Sequence, residues 1–226
     1  MSGTAVTIFF DVNETLSNLE PVADAFESVC DSRGLAATWF NTILRDGFAL
    51  TATGSAPRFL EIATTNARDT LRGLPLNFSL DESVETLIDA FSRVQLHADV
   101  AEGFRTLHDA GHRLFTLSNG PTATAERLFE DAGISALVSR TLSVEGHAPW
   151  KPARAAYEDA LARTGTEGPA YLVAVHPWDI HGAANAGFST VWVNRTSASF
   201  PEHFHPPTAT VRRIGELTNY LASIGS

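Results

Sequence analysis

Short apolar runs alternate with stretches of helical periodicity over most of the chain. Residues 5–10, AVTIFF, are rich in β-formers and lack polar alternation, the pattern of a strand covered on both faces. HRLFTLSNG (112–120), AYLVAVH (170–176) and STVWVN (189–194) repeat that type, and ALVSRTLSV (136–144) is a weaker version. Helical patterns lie between them. VAEGFRTLHDAG (100–111) has apolar residues every three or four positions and ends on Gly111. PTATAERLFEDAGI (121–134) begins with Pro121 and closes at Gly133, while KPARAAYEDALARTG (151–165) and DIHGAANAG (179–187) also stop on glycine. Strand alternating with helix predicts an α/β fold with a doubly wound parallel sheet.

Residues 17–95 break this rhythm. PVADAFESVCDSRG, AATWFNTILRDGFALTA, APRFLEIATTNARDTLRG and SLDESVETLIDAFSRV all read as helical, with no strand of comparable quality among them. The economical reading is a helical insertion over 17–95 after the first strand, leaving 1–16 and 96–226 as the α/β core. The Pro-rich segment FPEHFHPPTAT (200–210) reads as a surface loop.

Composition narrows the partners. The 226 residues carry 44% hydrophobic and 19% charged side chains, ordinary for a globular chain of this length. A formal net charge of −10 disfavours general binding to nucleic acid or anionic membranes, but not a small anion in a locally positive pocket. The single cysteine, Cys30, fits a reducing compartment. No basic leader precedes Asp11 and no apolar window approaches membrane-spanning length, so a cytoplasmic location without membrane or nucleic-acid partners is expected.

In open α/β sheets ligands collect at the carboxyl ends of the strands. Asp11, Asn13, Glu14 and Thr15 follow the first strand, and Ser118, Asn119 and Gly120 follow the second. Lys151 opens the 151–165 helical pattern, and His176, Trp178, Asp179 and His181 follow the 170–175 strand. Each has an ordinary reading taken alone: Asp11 as a helix or turn cap, Ser-Asn-Gly as a turn, Lys151 as a solvated lysine, His176 as a structural histidine. His97, His108, His112, His147, His203 and His205 show no metal-ligand spacing and read as surface residues. Together, the set could place three carboxylates, a lysine and several hydroxyl or amide groups in one crevice.

In this order the set resembles the haloacid dehalogenase superfamily over nearly the whole chain. Asp11 in FFDVNETL matches the nucleophile motif, Ser118 in LFTLSNG the second, Lys151 in WKP the third and WDIHGAANAGF the fourth. The resemblance implies a Rossmann-like core with residues 17–95 as its cap. Most of the superfamily are magnesium-dependent phosphatases with a second acid two residues after the nucleophile; here that position is Asn13, which cannot serve as a proton donor or acceptor. Asp179 is the only carboxylate of the fourth motif, a poor oxygen set for Mg²⁺. A phosphatase is therefore the alternative reading.

The SNG and WDxxGAxxAGF patterns instead look like the metal-free L-2-haloacid dehalogenases. By that resemblance, and with no cofactor or metal expected, Asp11 displaces halide from a short 2-halocarboxylate and water hydrolyses the aspartyl ester. Lys151 keeps Asp11 ionised, Thr15 orients it and Asp179 holds Lys151. Val12, Asn13, Ser118, Asn119 and Trp178 bind substrate, with backbone amides around Ser118 and Asn119 receiving its carboxylate. A homodimer is also implied.

Two departures stand out. Asn13 and Glu14 replace the usual Tyr-Gly, and Val175-His176 replace the usual Ser-Asn. A subgroup carries this Glu/His pair, which implies that His176, supported by Glu14, activates the hydrolytic water. The family's cap arginine falls on Leu50, leaving Arg45, Arg58, or a cradle of Asn41, Phe40, Phe48 and Trp178 to receive halide.

Overall fold

The structure is a computed structural model describing residues 5–224. Its centre is β1 (Thr7–Phe10), in which all four residues are buried, as its unbroken apolar run requires. β1 pairs in parallel with β4 (Arg113–Thr116) on one side and β5 (Ala170–Ala174) on the other. β6 (Ser189–Val193) and β7 (Ala209–Val211) extend the sheet, giving the order β4-β1-β5-β6-β7, parallel throughout.

Successive strand residues face opposite sides, and both sides of β1 are filled. Phe10 lies 4.7 Å from Phe104 of α5 (Val100–Asp109), whose ring meets Phe129 of α6 (Thr122–Asp131). Phe9 meets Phe115 and Phe188, and Phe188 meets Tyr157 of α7 (Arg154–Thr164). α8 (Pro177–Asn185) packs on β5, β6 and α7, and α9 (Glu216–Ile224) packs on α5. Buried aromatics of this kind cost about 3–5 kcal/mol on truncation to alanine, so the sheet centre is well anchored. The expected glycine stops are present: at the end of α7, Gly165 has φ 59° and its N–H reaches the Ala162 and Leu161 carbonyls.

The insertion contains α1 (Glu20–Cys30), α2 (Leu35–Ala52), α3 (Phe59–Leu71) and α4 (Leu80–Ser92), packed on one another. α4 starts with a capping box between Ser79 and Glu82. Trp150, next to Lys151, wedges into this helical unit. Its indole N–H donates to the Pro57 carbonyl at 3.0 Å, and its ring stacks on Phe59. Gly47 is required there, because a Cβ would lie 2.2 Å from the Trp150 ring.

Several elements differ from the sequence expectation. The insertion leaves and returns through a two-stranded antiparallel ribbon, β2 (Ser17–Asn18) with β3 (Gln95–Leu96), too short for any periodicity to register. Segment 136–144 is not a continuous strand: it starts in a 3₁₀ turn (Ser135–Leu137) and follows β4 and the next turn through isolated bridges at Arg140 and Ser143 and scattered backbone bonds. It runs along the sheet edge with Ser139 and Arg140 exposed, where pairing is easily interrupted. The loop read over 200–210 ends instead in β7, and α7 begins three residues later than expected because 151–153 form a turn. No helix among the described residues is long and apolar enough to cross a membrane.

Candidate active site

β1 carries Asp11 to the crevice at the carboxyl end of the sheet, where its N–H extends the pairing to the Val173 carbonyl at 3.0 Å. Its carboxylate is almost wholly buried and both oxygens are partnered. Lys151 Nζ donates to Oδ1 at 2.9 Å, and Thr15 Oγ1 donates to Oδ2 at 2.7 Å. Thr15 is held in turn by the Val175 N–H at 3.0 Å.

Lys151 has no exposed surface, and its second partner is Asp179 Oδ2 at 2.6 Å. Burial alone would disfavour the ammonium, but the two carboxylates raise its pKa. Burial would likewise push Asp11 up; Lys151 first, then His176 and Thr15, more than offset this and hold its carboxyl well below the usual range. Burial and the Asp11 charge push Asp179 up against the pull of Lys151, yet both of its oxygens accept hydrogen bonds, as a carboxylate's do.

His176 lies between two acids, with Nδ1 3.2 Å from Asp11 Oδ2 and Nε2 2.9 Å from Glu14 Oε2. Ionised carboxylates only accept, so both ring nitrogens must donate and the resting ring is an imidazolium. Burial opposes that charge, but the hydrogen bonds to Asp11 and Glu14 push the pKa up to about 9. The ring is also stacked on Trp178 (5.0 Å) and faces Phe40 (6.3 Å). Trp178 in turn meets Phe48 edge-on, so His176 is packed on an aromatic and hydrogen-bonded to Glu14 at once.

The remaining predicted residues divide by what they touch. Val12 and Asn13 are buried directly after Asp11. Asn119 exchanges hydrogen bonds with the Lys151 backbone (2.8 and 3.1 Å), so its side chain braces Lys151. Of the two amides expected to receive an anion, that of Ser118 is already donated to the Leu142 carbonyl, while Ser118 Oγ accepts the Gly120 N–H. Arg45 is exposed and paired with Asp46, and Arg58, Asn41 and Leu50 are exposed. Of that set, Phe40 and Trp178 lie against His176, and Phe48 lies against Trp178. Among the described residues, no group of three His, Cys, Asp or Glu is placed to hold a metal ion. Two histidines read as surface residues have partners inside: buried His112 accepts the Val6 N–H on Nδ1, and half-buried His97 contacts the Glu14 carbonyl.

Tyr157 escaped the sequence reading. Its buried hydroxyl donates to Asp179 Oδ1 at 2.6 Å, leaving neither oxygen of that carboxylate unpaired. The only sequence signal was a polar-tipped aromatic on a buried helix face. Gly182 makes room for it: a Cβ there would lie 2.6 Å from both Tyr157 Oη and Pro152 Cβ.

The profile of haloacid dehalogenase-like hydrolases matches residues 6–187. The chain belongs to that family. An (S)-2-haloacid dehalogenase of Pseudomonas putida is 29% identical over 219 residues, covering 96% of each chain. Haloacetate dehalogenase H-2 of Moraxella sp. (strain B) is also 29% identical, over 95% of this chain and 97% of its own. The structure of L-2-haloacid dehalogenase from Xanthobacter autotrophicus with chloropropionic acid covalently bound superposes with a TM-score of 0.84 at 21% identity, covering 98% and 100% of the two chains. That last likeness is one of fold.

Proposed function

We propose that this haloacid dehalogenase-like hydrolase converts short L-2-haloalkanoic acids to 2-hydroxyacids and halide through an ester on Asp11, with residues 17–95 as the cap over the crevice. The observation that carries the reading is the state of Asp11: a buried carboxylate kept ionised by Lys151, with Asn13 rather than a second acid two residues on. Relatives named for (S)-2-haloacids and haloacetate, similar over almost their full length, support it. A homodimer in the cytoplasm is part of the proposal, and sedimentation of the purified chain tests the dimer.

In this mechanism an Asp11 oxygen attacks C2 opposite the halogen. The O–C bond forms as the carbon–halogen bond breaks, halide leaves with the electron pair, and the configuration inverts. Whichever oxygen is alkylated, the other keeps a donor, Thr15 or Lys151. The ester is neutral, so His176 retains only Glu14 as an anionic partner and releases its proton to solvent. The neutral imidazole then takes a proton from water as the water oxygen adds to Asp11 Cγ. The Cγ–O bond to substrate breaks, and the leaving alkoxide takes the proton from His176. The carboxyl left on Asp11 then returns a proton to the ring, restoring the resting ion pair.

The test is halide release from chloroacetate and from each enantiomer of 2-chloropropionate, with and without EDTA. Release from chloroacetate and the (S) enantiomer, undiminished by EDTA, is expected. No halide, with EDTA-sensitive phosphate release from phosphomonoesters, would replace this reading with a phosphatase.

A further inference from the structure

Asp11 is positioned by β1, but Glu14 and Thr15 lie beyond the strand. The loop bends through Glu14 with φ 61°, a left-handed conformation that residues other than glycine rarely adopt. Short-range bonds from the Leu16 and Ser17 amides to the Val12 carbonyl close the turn, but they leave the Glu14, Thr15 and Leu16 carbonyls pointing outward. Each of the three is captured by one of two residues far away in sequence. His97 Nε2 meets the Glu14 carbonyl at 3.1 Å, Arg195 Nη2 donates to the Thr15 carbonyl at 2.8 Å, and the His97 N–H donates to the Leu16 carbonyl at 2.8 Å. Arg195 is itself fixed by Asp99 at 2.9 Å, whose other oxygen accepts the Ile214 N–H at 2.8 Å.

We propose that Arg195 and His97 are positioning residues that hold the 14–16 backbone in its left-handed turn, so that Glu14 stays on His176 for the hydrolytic half of the reaction. The inference rests on the dehalogenase reading for its kinetic arm only. Burial and the Arg195 guanidinium lower the His97 pKa, leaving a neutral ring whose Nε2–H donates to the Glu14 carbonyl. Glu14, Arg195 and His97 share with His176 the wall of a cleft of about 710 Å³ between α1 and the end of β6, while Asp11 and Lys151 are not in that wall. The Asp11–Lys151–Asp179 chain is braced by β1, Asn119 and Tyr157, and the one link to it from the 14–16 segment, Thr15 Oγ1 on Asp11 Oδ2, is held independently by the Val175 N–H. Releasing the carbonyls therefore disturbs the Glu14–His176 contact while leaving the nucleophile and its lysine in place.

Arg195→Met and His97→Ala test this on (S)-2-chloropropionate, with Arg195→Lys and His97→Gln as donor-keeping controls. Steady-state turnover should fall about a hundredfold, the scale of a misplaced catalytic group. The first-turnover halide burst should stay close to wild type, and intact-protein mass spectrometry should find most of the enzyme carrying the Asp11 ester. The donor-keeping variants should recover turnover. If Arg195→Met does not fold, His97→Ala carries the test alone. Equal loss of burst and turnover without ester, or unchanged turnover, overturns the proposal. A second readout needs no dehalogenation. The His176 ring, followed by NMR, should titrate lower in Arg195→Met and His97→Ala, because Glu14 no longer faces it. An unmoved midpoint overturns the proposal even if wild type releases no halide, whereas a lowered midpoint without halide release supports the positioning role and overturns only the dehalogenase reading.

Discussion

Replacing His176 by asparagine removes an imidazolium held between Asp11 and Glu14, and the consequence is a specific change in the pH dependence of stability. In the folded chain the ring's pKa rises from 6.5 to about 9, the hydrogen bonds to both carboxylates outweighing burial. At 1.36 kcal/mol per unit, that rise is worth about 3 kcal/mol. The sign follows from proton counting. Between the two values the folded state binds a proton that the unfolded state has lost, so the contribution is complete below 6.5 and disappears as pH rises through about 9. Urea unfolding of wild type and His176→Asn at intervals from about pH 6 to about pH 10 isolates it, because the lysines and tyrosines titrate in both proteins. The gap between the two unfolding free energies should close by about 3 kcal/mol over that range. A gap constant with pH would refute the imidazolium assignment, and with it the proposed release of a proton on ester formation.

The same variant, given (S)-2-chloropropionate, should release about one equivalent of halide and then stall, with the added acyl mass on Asp11 by mass spectrometry; free turnover would sink the role given to His176. Lys151→Ala strands buried Asp11 and Asp179 without their cation and should lower unfolding stability by about 3–5 kcal/mol in urea titration while abolishing halide release. Gly182→Ala drives a Cβ to 2.6 Å from Tyr157 Oη and Pro152 Cβ, and should cost about 1–3 kcal/mol by thermal unfolding. The site holds three carboxylates (Asp11, Glu14, Asp179) against two cations (Lys151, His176), so losing the His176 proton should raise the Kd of unreactive propionate roughly tenfold above pH about 9. Calorimetry of wild type against His176→Asn checks this, with a flat profile expected in the variant.

What was legible in the sequence is what local pattern controls. The run ending in Asp11, the glycine-terminated helices and the four helical stretches of the insertion each carry their own signal, and their ends lie within about four residues of the expected places, the largest gap being α1, which stops at Cys30 rather than Gly34. The ends of β1 and β5 then bring Asp11 and His176 into one crevice, because a parallel sheet puts every carboxyl end on one side, and the turn before α7 adds Lys151. What escaped depends on partners distant in the chain. Tyr157 matters because α8 approaches α7 over Gly182. His97 and Arg195 matter because three outward carbonyls lie within their reach. β2, β3 and β7 span two or three residues, below any period, and 136–144 has a strand's composition but only an exposed sheet edge to pair with. The exposure of Leu50, Arg45 and Arg58 likewise needed the packing of α2 and α3 before it could be seen.

The proposed cycle depends on His176 having two acidic neighbours and not one. With Asp11 ionised, the ring sits between two acceptors and stays protonated at neutral pH, and its positive charge offsets one of the three carboxylates as an anionic substrate enters. A base at that stage would be useless, since the nucleophile is already a carboxylate. Alkylation converts Asp11 into a neutral ester and removes one of the two charges that hold the proton. The remaining partner, Glu14, orients the ring and supports a pKa nearer the ordinary histidine value, where a general base works best at neutral pH. Formation of the intermediate thereby creates the base that destroys it. This places a strict demand on Glu14: it must reach Nε2 while Asp11 takes Nδ1, from a position only three residues away. The left-handed turn at Glu14 brings its carboxylate to the far side of the ring, which gives a physical reason for keeping a strained backbone where glycine would sit more easily.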